Sequence, residues 1–416
     1  MAAVHALIAP GPLGRRGHQR PRGWTGRILP IAAAALLGAG ALAGCGSPQE
    51  AASGGGQDNA PVKVGLVHSQ TGPLASYGKQ YAEGFRAGLA YATNGTNKVG
   101  DRLIEVTEVD DAGDPANAVS AVKDLVGKGY KIIAGSTVSG VALQVAPLAA
   151  QNKVLFISGP AATDGVTAAN RYTFRSGRQT YQDVLTAKSF IGAASGKKVL
   201  VFAQDTAFGK ANEEAVKQVI GADGAMVEAV LVPASATDFT PFARQVRDAQ
   251  PDLLFVAWAG TTATAMWQAL DQQGVFGATT VVTGLDQRAS YPIFGAASDK
   301  ISLLSHYFDG ASSTPAAEAL KKAVPGGAVD LFHPDGFTAA QMIVHAVQEG
   351  GDDVEKMIAA LEGWSFEGVK GTLTIRAEDH ALLQPMFQAR FSGGAPALVK
   401  TLDPQEVAPP VSQMKG

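Results

Sequence analysis

Cysteine is nearly missing from this chain: Cys45 is the only one in 416 residues. A lone thiol cannot close an internal disulfide or build a Cys-based zinc site. Charge is also sparse, at 17% Asp, Glu, Lys and Arg against 46% hydrophobic residues, a balance that fits a well-packed globular protein. Enzyme signatures are poor. His68, His306, His333, His345 and His380 are scattered, with no HExxH or other metal-ligand spacing. No G-x-S-x-G elbow occurs. The stretch from Gly192 to Lys197 falls one residue short of a phosphate-binding loop and lacks the Ser or Thr after its lysine. The pairs Asp110-Asp111 and Asp352-Asp353 read as solvated turns and Glu213-Glu214 as a solvated helix face, rather than as acid–base pairs. Asn94-Gly95-Thr96 is a glycosylation sequon by pattern only. No segment after the amino-terminal region is long and apolar enough to cross a bilayer.

The amino terminus is basic, then apolar. Arg15, Arg16, Arg20, Arg22 and Arg27 precede a run over 28–43 that ends in Leu42-Ala43-Gly44-Cys45. A basic stretch, a short apolar stretch and small residues form the layout of a secretory signal. The run is shorter than the roughly 20 residues a membrane-spanning helix needs. Its Gly38-x-Gly40-x-x-Ala43 mimics a dinucleotide fingerprint, but no strand precedes it. The tetrapeptide resembles the lipobox of bacterial lipoproteins. That resemblance implies cleavage before Cys45, a lipid on its sulfur, and a chain tied to the outer face of the cell membrane. Losing five arginines moves the formal charge from −3 to −8, which disfavours nucleic acid as a partner.

Residues 45–60 hold almost no bulky apolar side chain and read as a flexible tether. Order is expected from Val62, where a β-branched run begins. Apolar strands and amphipathic helices then alternate: strands over 103–109, 131–134 and 154–157, with helices over 78–92, 116–128 and 141–151. A second series starts near Thr180, with strands over 199–202, 226–232, 253–257, 280–282 and 301–307 and helices over 210–220, 241–249 and 262–273. Near-continuous apolar strands separated by helices indicate parallel sheets covered on both faces. Two series imply two doubly wound α/β lobes. Helices follow near 315–324, 338–349 and 354–361. Three strands without helices, at 372–375, 386–391 and 397–402, close the chain, and 404–416 reads as a frayed tail.

In open parallel sheets ligands bind beyond the carboxyl ends of the strands. Three such ends run into small polar residues: Gly135-Ser136-Thr137-Val138-Ser139-Gly140, Ser158-Gly159-Pro160-Ala161-Ala162-Thr163-Asp164, and Thr283-Gly284-Leu285-Asp286. Ser139 near a helix N-terminus suits a carboxylate. Asp286 suits an ammonium. These stretches, with Thr71-Gly72-Pro73-Leu74-Ala75-x-Tyr77-Gly78 and Phe208-Gly209, make the chain from about Val62 to Asp403 resemble type I periplasmic solute-binding proteins. It is most similar to the leucine/isoleucine/valine-binding group of branched-chain amino-acid ABC importers.

The resemblance implies two lobes joined by a hinge, with lobe 1 over 61–180 plus 307–384 and lobe 2 over 181–306 plus 385–404. It puts Ser139 and Thr163 on the ligand carboxylate and the Ala161 carbonyl on its ammonium. Asp286 stands where the family usually has a glutamate, one methylene longer. Phe208 replaces a tyrosine, Tyr77 lids the side-chain pocket, and Trp258 or Thr261 faces it from the second lobe. Each also has a plainer reading: Ser139 and Asp286 as helix caps, Thr163 as a turn residue, Tyr77, Phe208 and Trp258 as packing. The implied partners are a small-molecule ligand, permease subunits and the membrane; no cofactor, metal or catalytic residue is expected, and the chain is expected to be monomeric. Alternatives are a ligand-sensing subunit, a binding protein for amides, urea or aromatic acids, and, least favoured, an α/β hydrolase.

Overall fold

The computed structural model describes residues 60–415, without the side chains of 295–299. Cys45 and the tether up to residue 59 lie outside the described residues. The first series runs β1 (Val62–His68), α1 (Ala75–Ala92), β2 (Lys98–Val99), β3 (Arg102–Asp110), α2 (Pro115–Gly127), β4 (Ile132–Ala134), α3 (Ser139–Asn152), β5 (Leu155–Ser158) and β6 (Thr173–Arg175). Its six strands lie in the order β2-β3-β1-β4-β5-β6. All neighbours pair in parallel except β2 with β3. β1 is buried along its length apart from Lys63, as a strand covered on both faces must be.

The second series runs α4 (Thr180–Lys188), β7 (Lys198–Gln204), α5 (Ala207–Val219), β8 (Met226–Val232), α6 (Thr240–Ala249), β9 (Leu253–Ala257), α7 (Ala263–Gln272), α8 (Val275–Ala278), β10 (Thr280–Gly284) and β11 (Ile301–Ser305). Then come α9 (Pro315–Ala323), α10 (His333–Gly350), α11 (Val354–Leu361), β12 (Ser365–Gly368), β13 (Gly371–Ile375), β14 (Leu382–Leu383), β15 (Met386–Ser392) and β16 (Ala395–Leu402). The second sheet has the order β16-β15-β11-β10-β9-β7-β8, and β15 and β16 are its antiparallel additions. β12, β13 and β14 form a small third sheet.

Both large sheets turn back on themselves in the same way. The chain winds from β1 outward to β3, then crosses to β4 on the other side; likewise from β7 to β8, then to β9. Such reversals open a crevice at the carboxyl ends of the strands flanking the switch. In the first lobe those ends are the loops after β1 and β4; in the second, the loops after β7 and β9.

Local chemistry fixes the loops. Asp114 caps α2, accepting from the N–H of Ala116 and Asn117, with Pro115 at the first turn. Thr206 caps α5 by accepting from Gly209 N. A Cβ on Gly209 would stand 1.8 Å from the Gln204 carbonyl oxygen, so only glycine lets α5 start this close to the end of β7. Asp110, at the end of β3, accepts from the N–H of Gln70 and Thr71 and from the Thr71 hydroxyl. It thereby holds the loop leading to α1. α1 packs on α10 at near backbone contact: a Cβ on Gly84 would lie 1.9 Å from the His333 carbonyl oxygen.

The structure departs from expectation at several places, and α4, α8, β2, β12 and β14 are elements the sequence reading does not include. α10 starts at His333 rather than 338, because Pro334 sits in the first turn, where its missing N–H costs nothing. β6 exists although no strand was expected there. The segment after β16 is held rather than frayed. Val407 is fully buried with Met386 and Leu402. Arg376 donates to the carbonyls of Pro409 and Pro410, and Asp379 accepts from Ser412 N.

Candidate ligand-binding cleft

The facing switch points enclose a cavity of about 440 Å³, within the usual size range of small-molecule sites. From the first lobe, Pro73, Leu74 and Tyr77 line it beside Thr137, Val138 and Ser139. From the second, Thr206 and Phe208 stand after β7, Trp258 and Thr261 after β9, and Asp286 after β10. Six of the eight residues expected at the ligand are therefore on this wall. Ala161 and Thr163 are not. They are buried behind it, where Arg175 donates to both carbonyls at 3.0 and 3.3 Å. The Thr163 hydroxyl accepts from Gly165 N, and its own N–H donates to Ser139 Oγ at 3.4 Å. Ser139 is the first residue of α3 rather than its cap; the cap position is Val138, without a side-chain bond. The first N–H groups of a helix have no intrahelical partner, so Val138, Ser139 and Gly140 present an anion-favouring end to the cleft.

Asp286 faces Tyr77 across the gap between lobes. The Tyr77 hydroxyl donates to Asp286 Oδ1 at 2.6 Å, and Gln287 N donates to the same oxygen at 2.7 Å. Among the described residues Asp286 forms no ion pair. Burial pushes its carboxyl upward against the hydrogen bonds it accepts. Burial, then the Asp286 charge, pushes the Tyr77 phenol well above its ordinary value, so it remains a donor. Next to this bridge, Gln80 Nε2 donates to Gln287 Oε1 and Asp330 Oδ2, and Phe332 N donates to Gln80 Oε1. Trp258 stacks on Phe202, meets Phe239 edge-on, and donates from Nε1 to Thr262.

Sequence reasoning missed the floor of the cleft. Arg178, Asp183, His306 and Phe332 all line it. They sit on or beside the crossings between sheets: after β6, in the first turn of α4, after β11, and before α10. Arg178 Nε donates to Asp183 Oδ2 at 3.2 Å, and Nη1 donates to the Pro160 carbonyl at 3.0 Å. The Phe332 ring lies 4.6 Å from Tyr77, 5.1 Å from His306 and 5.8 Å from the Arg178 guanidinium carbon. Burial raises Asp183 to about 6 against the pull of Arg178. Burial, then the positive charges of Arg178 and Lys370, drives His306 well below its ordinary range, which keeps it neutral. Arg178 follows the end of β6, but that strand is only three residues long, Thr173-Phe174-Arg175, with a single apolar side chain.

A two-lobed α/β chain with a mixed aromatic and polar cleft at paired switch points is a solute trap in its architecture. The family model described as periplasmic binding protein matches residues 61–395. The chain belongs to the periplasmic binding protein family. A Leu/Ile/Val-binding protein homolog of Brucella melitensis is 27% identical over 342 residues, covering 78% of this chain and 86% of that one. The structure of an ABC-type branched-chain amino acid transporter protein from Rhodopseudomonas palustris is 30% identical, with a TM-score of 0.68, and covers 85% of this chain and all of that one. A solute-binding protein of an ABC transporter from Rhodopseudomonas palustris, solved with p-hydroxybenzoic acid, is 25% identical with a TM-score of 0.75, covering 82% and 97%. Periplasmic binding proteins of this kind capture small solutes outside the cytoplasm for ABC permeases. Among the described residues no helix is long and apolar enough to span a membrane and no metal-ligand cluster occurs.

Proposed function

We propose that this periplasmic binding protein captures an apolar α-amino acid for an ABC importer, without chemistry on the ligand, while tethered to the membrane through Cys45. The observation that carries the ligand reading is Asp286: a carboxylate on the cleft wall, partly desolvated, with no cation to meet it. A ligand ammonium supplies that cation and displaces the Tyr77 hydroxyl. Leu74, Leu331, Phe332 and Trp258 offer apolar contact to a side chain. Lobe closure follows because the guest touches both walls only when they meet, and excluding water strengthens its charged hydrogen bonds.

A hydroxylated benzoate is the second reading, favoured by the aromatic wall and the relatives solved with such acids. Charge weighs against it. The wall carries Asp183 and Asp286 against Arg178 alone, and His306 is neutral. A guest of zero net charge suits such a wall better than an anion.

Thermal unfolding in the presence of single amino acids, benzoates, amides and urea separates these readings. A bound ligand at a hundred times its Kd stabilises by about 2.7 kcal/mol. We expect leucine-like amino acids to raise the melting temperature and benzoates to leave it in place; the opposite pattern rejects the amino-acid reading. For the anchor, Cys45→Ser is expected to release the protein from the membrane fraction. Retention there would show that Cys45 carries no lipid that matters.

A further inference from the structure

We infer that Arg178 is the residue that holds the ligand's carboxylate, and that Asp183 sets how strongly it does so. This rests on the reading above only in that the guest carries a carboxylate. Two observations converge. The groups expected to hold that carboxylate are partly spent elsewhere: Thr163 lies behind the wall, with its N–H directed to Ser139 and its hydroxyl to Gly165. Meanwhile the wall's single Arg or Lys among the described residues is Arg178, on the crossing between the sheets.

The guanidinium is built in rather than adventitious. Arg178 is 9% exposed. Its Nε is fixed by Asp183 and its Nη1 by the Pro160 carbonyl, while Nη2 has no hydrogen-bond partner among the described residues. Phe332 lies beside the guanidinium, limiting its swing. Around it, buried polar atoms also lack partners: Asp183 Oδ1 and His306 Nε2. A planar fork with one arm free, fixed by its other two nitrogens, suits a carboxylate oxygen. The carboxylate then sits between Arg178 and the amino end of α3 at Ser139. Pro160 links the two places in the fold: its carbonyl takes Arg178, and the next residue, Ala161, donates its N–H to the Ser136 carbonyl in the loop before α3. Asp183 shares the guanidinium's charge. Its carboxylate therefore competes with the guest, and it keeps the empty cleft from holding an unpaired cation.

The position also matters for closure. Arg178 lies on the segment that joins β6 of one sheet to α4 of the other. A guest bound there is gripped at the crossing rather than on one lobe's loop, so carboxylate binding and lobe approach act on the same backbone.

The test is calorimetry with L-leucine and L-leucinamide, and in parallel with p-hydroxybenzoate and p-hydroxybenzamide, on wild type, Arg178→Met, Arg178→Lys and Asp183→Asn. Each pair differs at the carboxylate alone. In the pair that binds, expected to be the leucine pair, the wild type is expected to prefer the acid. Arg178→Met is expected to cut that preference at least tenfold, Arg178→Lys to restore part of it, and Asp183→Asn, which keeps an acceptor for Nε, to strengthen acid binding severalfold with little change for the amide. If Arg178→Met fails to fold, the other two variants decide. An acid-to-amide ratio unchanged at Arg178, or acid binding weakened selectively by Asp183→Asn, overturns the assignment. A wild type that binds none of the four compounds instead refutes the carboxylate reading itself and with it this inference.

Discussion

Asp286→Asn is expected to weaken binding of a leucine-like amino acid by about 2–5 kcal/mol, roughly thirty-fold to several thousand-fold. The loss is electrostatic. The ammonium of a bound amino acid is removed from water by closure, and Asp286 is the acid that meets it on the wall. Asparagine keeps the shape and can still accept from Tyr77 and from Gln287 N, the two bonds that now fix the side chain. Only the charge is lost. The same substitution is expected to leave the unliganded protein as stable or slightly more so at neutral pH. Burial raises the Asp286 carboxyl. A group raised in the folded state contributes stability that is present below its unfolded pKa and lost as pH rises through its folded one. At neutral pH the ionised carboxylate is thus a net cost that asparagine removes. Calorimetry and melting curves on one preparation check both halves. Lost affinity with retained stability marks a binding residue; unchanged affinity shows that Asp286 does not hold the ammonium.

The second large effect lies at a buried ion pair among the segments that pass between the two sheets. Lys370 and Asp335 are fully buried, 3.3 Å apart, and Lys370 Nζ also donates to Gln384 Oε1 at 2.6 Å. Gln384 donates in turn to Gln182 of α4, and His306 Nε2 lies 3.9 Å from Asp335 Oδ2. Gln182 and Gln384, on two of the segments passing between the sheets, thus share one buried polar network with Lys370 and Asp335, and His306 stands beside it. Lys370→Met removes one charge and strands the other, a change expected to cost about 3–5 kcal/mol. At about 2–4 °C per kcal/mol for large domains, the melting temperature falls on the order of 10 °C. The loss has a pH signature. Burial raises Asp335, while Lys370, Arg178 and Arg175 pull it down. Without Lys370 its folded pKa rises further, so the penalty is full at neutral pH and shrinks as acid protonates the carboxyl. Lys370→Met with Asp335→Leu is expected to regain most of the stability, since the stranded charge is gone. A pH-independent loss, or no rescue in the double variant, would show that the pair contributes by packing rather than by charge.

How much of this was legible in the sequence follows from how each signal is written. Strands such as β9, and β1 apart from Lys63 and His68, are apolar, because helices cover both faces of a parallel sheet, and they stood out. The helices between them carry apolar stripes, so the two-lobed α/β architecture could be read directly. The loops at strand ends gave Ser139 and Asp286, because ligand sites in such sheets sit at strand ends, while Tyr77, Phe208, Trp258 and Thr261 were placed by resemblance. Three-residue strands carry too few positions for a pattern, so β6 went unseen and Arg178 with it. Ala161 and Thr163 were placed by resemblance alone. Nothing local shows that a fully buried arginine, Arg175, folds their loop inward and lies at a lowered pKa of about 10 through its burial. Phe332 and His306 reach the cleft on segments that follow β11 and precede α10, and no short pattern records that these segments come to its floor. The carboxyl-terminal segment looked frayed because it is polar and proline-rich. Its attachment to Arg376 and Asp379 is made through its backbone, which composition does not reveal.

A crystal structure of the protein grown with its tightest-binding amino acid tests the central claim most directly. One guest is expected between the lobes, its carboxylate on Arg178 and the amino end of α3, its ammonium on Asp286, and the Tyr77 hydroxyl displaced from Asp286. A guest seated outside the cleft, or one inside it that leaves the Tyr77–Asp286 bond intact and touches neither Arg178 nor Ser139, would contradict it.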